Sequence, residues 1–466
     1  MTADAHGSPH APSTDARAQR TRADLRAMLL DGFSFSVMVG IGESYLAPFA
    51  LALGLGDVTA ALVATAPMLA GGVLQLVTPA AVGWLGSHRR WVVLCASLQA
   101  ASFVPLAAAA LAGSMSPWLL FATASLYWGL GLAASPAWNT WAGTIVPASV
   151  RVRFFARRSR WAQAALLLGL VAGGAVLQLA SEKGVPLAGY VAAFGVAFAA
   201  RAISAFYLSR QSEPAPVPIG ETRVSPAAIR AHLRTGGHGR LLAYLLVFQA
   251  SVYVAAPFFT PYMLGPLGYD YVGFTALTGA AFLARVAALP LLGRVTKRVG
   301  TRRVLWHASM WIVPLPLAWL VTDDFVWLFA VQLWSGVAWA AFELASLLSF
   351  FEHIPQRTRT SILSAYNLAN AVAIAVGSVI GGVLLDAVGR GAAAYAAVLV
   401  ASAIARFVAL PLLRGMPDVV PASATPIPLR TIGLRPSAGA LQRPVLAALD
   451  GEDDESGPGE PRAAVR

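Results

Sequence analysis

The sequence predicts an all-α membrane protein with twelve transmembrane helices in two pseudo-symmetric six-helix bundles. Three observations carry that expectation. First, 57% of the 466 residues are hydrophobic and only 12% charged, against about a quarter charged in soluble domains, so lipid is the expected solvent. Second, apolar stretches of the roughly 20 residues needed to cross a bilayer recur at 29–54, 58–85, 91–112, 117–146, 161–181, 187–208, 240–264, 271–293, 304–322, 325–352, 361–387 and 391–413. Third, the last six repeat signature residues of the first six. Pro147-Ala-Ser-Val-Arg151 and Pro355-Gln-Arg-Thr-Arg359 stand at one offset (355 − 147 = 208), as do Gly169-x-x-x-Gly173-Gly174 and Gly377-x-x-x-Gly381-Gly382. Pro48 and Asp57 match Pro261 and Asp270 at a slightly larger shift (261 − 48 = 213). Such internal repetition marks a duplicated bundle.

Charge orients the spans. Basic residues gather in alternate segments: Arg17 to Arg26, Arg89 and Arg90, Arg151 to Arg160, Arg210 to Arg240, Arg294 to Arg303, Arg357 with Arg359, and the tail from Arg414. The intervening loops hold Asp57, Glu182, Asp270, Asp323 and Asp324, with only Lys183 and Arg390 as bases. The positive-inside rule therefore puts both termini and the central linker in the cytoplasm. The net charge of +12 is explained by topology and basic loops against anionic lipid, not by nucleic acid. The chain divides into a polar arm expected to be disordered (1–28), a first bundle (29–208), and a Pro-, Gly- and Arg-rich linker (209–239). A second bundle (240–413) and a disordered tail with an acidic run at 450–455 (414–466) complete it. Within the linker, Ser225-Pro-Ala-Ala-Ile-Arg230 reads as the start of a short surface helix. The single cysteine, Cys95, reads as a packing residue within a span.

Several function classes are disfavoured. The two lysines, Lys183 and Lys297, are followed by Gly184 and Arg298, so neither completes a phosphate-binding Gly-Lys-Ser/Thr. No clustered Cys/His set suggests a metal, and no cofactor is expected. Glu43 with His307 or His353 is a poor acid–base pair because those histidines fall near helix ends, so the chain does not read as an enzyme.

An ionised side chain at mid-bilayer costs roughly 2.5–3.5 kcal/mol on insertion scales, so buried acids and bases need a reason. Glu43 in the first span, Arg285 in the eighth and Glu343 in the tenth fall near mid-depth, and Asp31 lies near the cytoplasmic entrance of the first. Glu43, Glu343 and Asp31 are the proton-coupling candidates, and Arg285 is the natural partner of a buried acid. In the first half Gln75 stands at the position matching Arg285. Trp138, Asn139 and Trp141 in the fourth span, Trp334 and Trp339 in the tenth, and Gln249 and Tyr253 in the seventh offer indole faces and hydrogen bonds to a substrate. Asn367 and Asn370 in the eleventh could do the same or tie helices together. Arg201 and Arg406 are expected to snorkel from the last helix of each half.

The layout resembles the major facilitator superfamily (MFS) over about residues 27–414. Two six-helix halves, a long central linker and basic loops after the second and eighth spans carry the resemblance. That family's loop pattern is close to Gly-x-Leu-x-Asp-Arg-x-Gly-Arg-Arg. Here it reads Gly293-Arg-Val-Thr-Lys297-Arg298-Val-Gly300-Thr-Arg302-Arg303, and in shortened form Gly83-Trp-Leu85-Gly-Ser87-His88-Arg89-Arg90. Ser87 and Lys297 stand where the family places Asp. The resemblance implies a secondary transporter of a small molecule, monomeric in a cell membrane (a bacterial inner membrane on this reading), that rocks about a mid-membrane site. It also implies that the first, fourth, seventh and tenth helices line a central cavity, with Glu43 and Glu343 on opposite walls. Gly83, Arg89, Arg90, Gly293, Arg298, Gly300, Arg302 and Arg303, with Arg151 and Arg359, are then the cytoplasmic gate candidates. Two acids and several indoles favour proton-coupled export of an amphipathic or cationic compound, with Arg285 favouring uptake of an organic anion as the alternative. A receptor or assembly factor on the same fold is the reading from another class.

Overall fold

The computed structural model describes residues 14–213, 238–353, 356–389 and 391–415, and among them it contains helices and no strand. Among the described residues, eleven helices are long and apolar enough to cross a membrane: Ala18–Ala52, Asp57–Leu85, His88–Ala112, Pro117–Ile145, Arg153–Glu182 and Pro186–Arg210 in the first half, then Gly239–Leu264, Tyr271–Thr296, Phe325–Ser349, Tyr366–Val388 and Ala392–Leu413. The ninth crossing is interrupted, as Thr301–Ile312 followed by Leu315–Ala318. Pro314 and Pro316 explain the break, since neither can donate a backbone N–H to the residue four earlier. With this split element the twelve crossings of the sequence reading are accounted for.

Helix breaks repeat with the duplication. The first span changes to a 3-10 turn at Glu43–Tyr45 and resumes at Leu46. The seventh changes at Ala256–Phe258 and resumes at Phe259. Both breaks stand at the offset shared by Pro48 and Pro261 (256 − 43 = 213). Interrupted helices at corresponding positions of two repeats are the strongest pointer to a transport site.

The glycine signatures pack helices within each half. A Cβ at Gly169 would come within 2.5 Å of the Val37 carbonyl oxygen, so the fifth span lies directly on the first. Gly377 and Gly381 place the eleventh on the seventh, where a Cβ would meet Ala250 O at 2.2 Å and Val254 O at 2.1 Å. Backbone carbonyls cannot retreat as flexible side chains do. Gly381→Ala is therefore expected to lower stability by about 1–3 kcal/mol, the usual range for an overpacked core, read as a lower thermal midpoint in detergent.

The described contacts between halves run from the end carrying the acidic loops to mid-span, where Gly72 lies against Ala371 and Leu368. Tyr45 Oη lies 3.0 Å from Thr275 Oγ1, and Tyr190 Oη lies 3.0 Å from Tyr271 Oη. Gly174 and Gly382 lie beside Thr275 and Val58 of the opposite half. Cys95 packs with Leu130, Ala133 and Ala134.

Two boundaries differ from the sequence reading. The arm assigned to 1–28 is helical from Thr14, continuous with the first span. The helix holds because Met28 and Asp24 are buried and Asp24 Oδ1 accepts a hydrogen bond from Ser212 N at 2.8 Å. The linker assigned to 209–239 begins late, since the sixth helix runs to Arg210 and residues 211–213 dock on the bundle. The expected surface helix at 225–230 and the tail beyond 415 lie outside the described residues.

Candidate functional site

Between the halves lies a cavity of about 180 Å³. Glu43, Thr65 and Trp128 line it from the first half, and Tyr253, Phe274, Arg285, Trp319, Trp339 and Arg406 from the second. Glu43 sits in the broken stretch of the first span and is 5% exposed. Its Oε2 accepts a hydrogen bond from Tyr127 Oη at 2.6 Å. Tyr127 was not singled out from sequence; a hydroxyl in mid-span is the only signal it gives.

Across the cavity, Arg285 Nη1 donates to Glu343 Oε1 at 3.2 Å, both side chains being buried. The structure thus joins two of the intramembrane charges in one ion pair, which reduces the cost of burying either. Of the sequence candidates, Tyr253 and Trp339 also line the cavity. Gln249 is buried with an unbonded Nε2 on the seventh span, and Gln75 lies half-buried in the 3-10 turn Gln75–Val77.

The fourth-span group goes elsewhere. Trp138 is only seven residues from the helix end at Ile145 (145 − 138 = 7), too far along to reach the cavity. Its ring takes the Arg158 guanidinium at 4.5 Å. Trp141 is buried among Ile145, Phe154 and Phe155, and its Nε1 donates to Ser212 O at 2.9 Å. Asn139 is half-buried between them. Trp128, ten residues earlier, is the indole from this helix that reaches the cavity.

Asp31 belongs to a second cluster, near the basic end. Its Oδ2 pairs with Arg158 Nη2 at 3.3 Å, and its Oδ1 accepts from Ser204 Oγ at 2.7 Å. Ser204 Oγ in turn accepts from Arg201 Nη1 at 2.6 Å, while Arg201 Nε donates to Gln99 Oε1 at 2.8 Å. Arg201 is 4% exposed and Arg406 2%, so neither snorkels. Arg201 is held inside by Asp31 through Ser204 and by the Phe35 ring at 4.9 Å, and Arg406 by the Ile312 carbonyl, freed at a helix break, and more distantly by Val252 O.

At the gate loops, Gly86 (φ +61°) and Gly300 (φ +92°) supply the positive φ that ends the second and eighth spans. Gly83, Arg90, Arg298 and Arg303 are exposed, Arg89 and Arg302 are half-buried, and Gly293 is buried. Arg151 and Arg359 lie on helices, and their side chains fall outside the described residues. The acid missing at Ser87 comes from elsewhere in the chain. Glu213 Oε1 accepts from the His88 backbone N–H at 2.7 Å, and Oε2 from Ser87 Oγ. Arg89 Nη1 donates to Gln211 O at 3.2 Å. The carboxylate thus caps the N-terminus of the His88–Ala101 helix, where a negative charge is favoured. Glu213→Ala should weaken this cap by about 1 kcal/mol and speed limited proteolysis just after residue 213; an unchanged cleavage rate would argue against the docking.

The Major Facilitator Superfamily family model matches residues 241–449, a stretch that includes the second bundle. No curated protein matches in sequence. Among solved structures, a point mutant of the nucleoside transporter NupG aligns with a TM-score of 0.64 at 12% identity, covering 84% of this chain and 99% of that one. A bacterial homologue of the human lysosomal transporter Spinster, inward-facing and unoccupied, aligns at 0.60 and 13% identity, covering 86% and 95%. A bacterial homologue of the iron transporter ferroportin, outward-facing, aligns at 0.52 and 16% identity, covering 83% and 97%. At these identities the likeness is one of fold.

Proposed function

For a chain whose second half matches the Major Facilitator Superfamily model and whose fold is similar to that of solved transporters, we propose proton-coupled transport of an amphipathic organic compound by alternating access. The observation that carries the reading is Glu43. It is buried in a broken helix, on the wall of a cavity between two repeats that Arg285, the ion-pair partner of Glu343, lines from the other half. A carboxylate there can take up a proton when the cavity opens to one side and release it when it opens to the other. The aromatic walls supply the apolar part of substrate recognition. The inter-half contacts at the acidic-loop end support an inward-open state, with the basic loops in the cytoplasm.

The charge on the substrate deserves revision from the sequence preference for a cation. Arg285 and Glu343 neutralise each other, and Trp138 and Trp141 lie outside the cavity. The lining keeps one acid, Glu43, and one further base, Arg406. A proton and a cation competing for Glu43 would give antiport and export; a proton travelling with an anion would give symport and uptake.

Proteoliposomes of the full chain, assayed for flux of aromatic amines, acids and amides beside protein-free vesicles, test the proposal. Protein-dependent, saturable flux of at least one class is expected. Flux equal to that of empty vesicles for all three, with the protein folded, would reject it.

A further inference from the structure

The second half carries a buried arginine without the acid that accompanies its counterpart. Arg201 and Arg406 occupy the last helix of their respective halves (406 − 201 = 205). In the first half Asp31, whose Oδ2 pairs with Arg158, also reaches Arg201 through Ser204, so Arg201 shares a carboxylate. The position matching Asp31 at the offset of the first and seventh spans is Tyr244 (244 − 31 = 213), and its hydroxyl is occupied by Ser309 Oγ at 2.5 Å. Ser204 is matched by Ala409 (409 − 204 = 205). Among the described residues no carboxylate pairs with Arg406.

What holds Arg406 is backbone. Nη1 donates to Ile312 O at 3.0 Å and Nη2 reaches Val252 O at 3.5 Å. Ile312 O is free because Pro316, four residues on, has no N–H to offer. Val252 stands at the last turn before the break in the seventh span. The two carbonyls orient the guanidinium at the C-terminal ends of two helices, where a cation is favoured, but neither carries a full negative charge. Nε is buried with no hydrogen-bond partner, and the side chain lines the cavity beside Val252, Leu315 and Trp319. A guanidinium has five donors, and a buried cation without a counter-charge is costly.

We infer that Arg406 is an anion subsite, and that the compound carried bears a carboxylate or similar planar anionic group seated on Arg406, with its apolar body against the Trp319 indole. The inference rests on the transport reading for its physiological meaning, but the subsite can be tested by binding alone. An arginine presents parallel N–H groups that fit a carboxylate better than a neutral isostere. A ligand anion would also supply a counter-charge, which Arg201 shares with Arg158 in Asp31 and which no described carboxylate gives Arg406.

The test is equilibrium binding of benzoate and 2-naphthoate, each beside its amide, to the full chain in detergent, followed by tryptophan fluorescence. The parent should bind each acid at least about tenfold more tightly than its amide, equivalent to about 1.4 kcal/mol. Arg406→Gln keeps a side-chain donor for Ile312 O but removes the charge; it should bring acid and amide to within about twofold. Arg406→Lys should keep part of the preference. Thermal melting of each variant confirms that it is folded. Equal binding of acid and amide by the parent, binding of neither, or an acid preference that survives in Arg406→Gln overturns the subsite and leaves Arg406 a cap on the two helix ends. Flux of amides and acids alike in proteoliposomes would remove the subsite and leave the transporter reading intact. Acid-selective binding with no flux of any compound would do the reverse.

Discussion

Glu43→Gln is expected to reduce proton-driven transport at least about tenfold, a barrier or coupling change of about 1.4 kcal/mol or more. Exchange of labelled for unlabelled substrate across the same membrane should change by no more than about threefold, below about 0.7 kcal/mol. The asymmetry follows from the site. Glutamine keeps the volume and can still accept the hydrogen bond that Tyr127 Oη gives Glu43 Oε2 at 2.6 Å, so the break at Glu43–Tyr45 and the cavity wall are retained. What is lost is the ability to gain and release a proton. Exchange needs only the loaded carrier to change sides, whereas net proton-driven movement needs the titrating group. Parallel loss of both activities would make Glu43 a structural or substrate-binding residue.

Arg285→Ala is expected to be the most destabilising of the single changes, by about 3–5 kcal/mol, because it leaves Glu343 as an uncompensated buried charge. Glu343 is 3% exposed and Arg285 is its ion-pair partner, at 3.2 Å. Combining Arg285→Ala with Glu343→Gln should recover much of the loss, since the neutral amide no longer needs a counter-ion. A double-mutant cycle of thermal midpoints reads this directly. If the double variant is no more stable than Arg285→Ala alone, the pair does not carry the stability assigned to it. Transport by the double variant adds a second readout: a purely structural pair predicts activity close to that of the parent once folding is restored.

The fold was legible because duplication and hydropathy are one-dimensional signals. The 213-residue offset between Pro48 and Pro261 is also the offset between the two 3-10 breaks, and the glycine repeats at 169–174 and 377–382 correspond to the same packing of the fifth span on the first and the eleventh on the seventh. Depth of single ionisable residues was legible too, which is why Glu43, Arg285 and Glu343 stood out. Azimuth and long-range partners were not. Trp138 and Trp128 share a helix and a residue type, but only Trp128 has the depth to meet the cavity. Arg201 and Arg406 lie close enough to helix ends to suggest snorkelling; the residues that draw them inward, Asp31 for one and Ile312 O for the other, lie on other helices. Likewise, the loop that lacks an acid at Ser87 is capped by Glu213, 126 residues away.

The most direct measurement of the central claim is lumenal pH in proteoliposomes of the full chain, followed with a trapped dye as an aromatic acid, its amide or an amine is added outside. The account predicts a protein-dependent pH change on addition of a transported compound, absent in Glu43→Gln, with its sign separating symport from antiport. Substrate flux with no accompanying proton movement, or the same pH change in Glu43→Gln as in the parent, would contradict it.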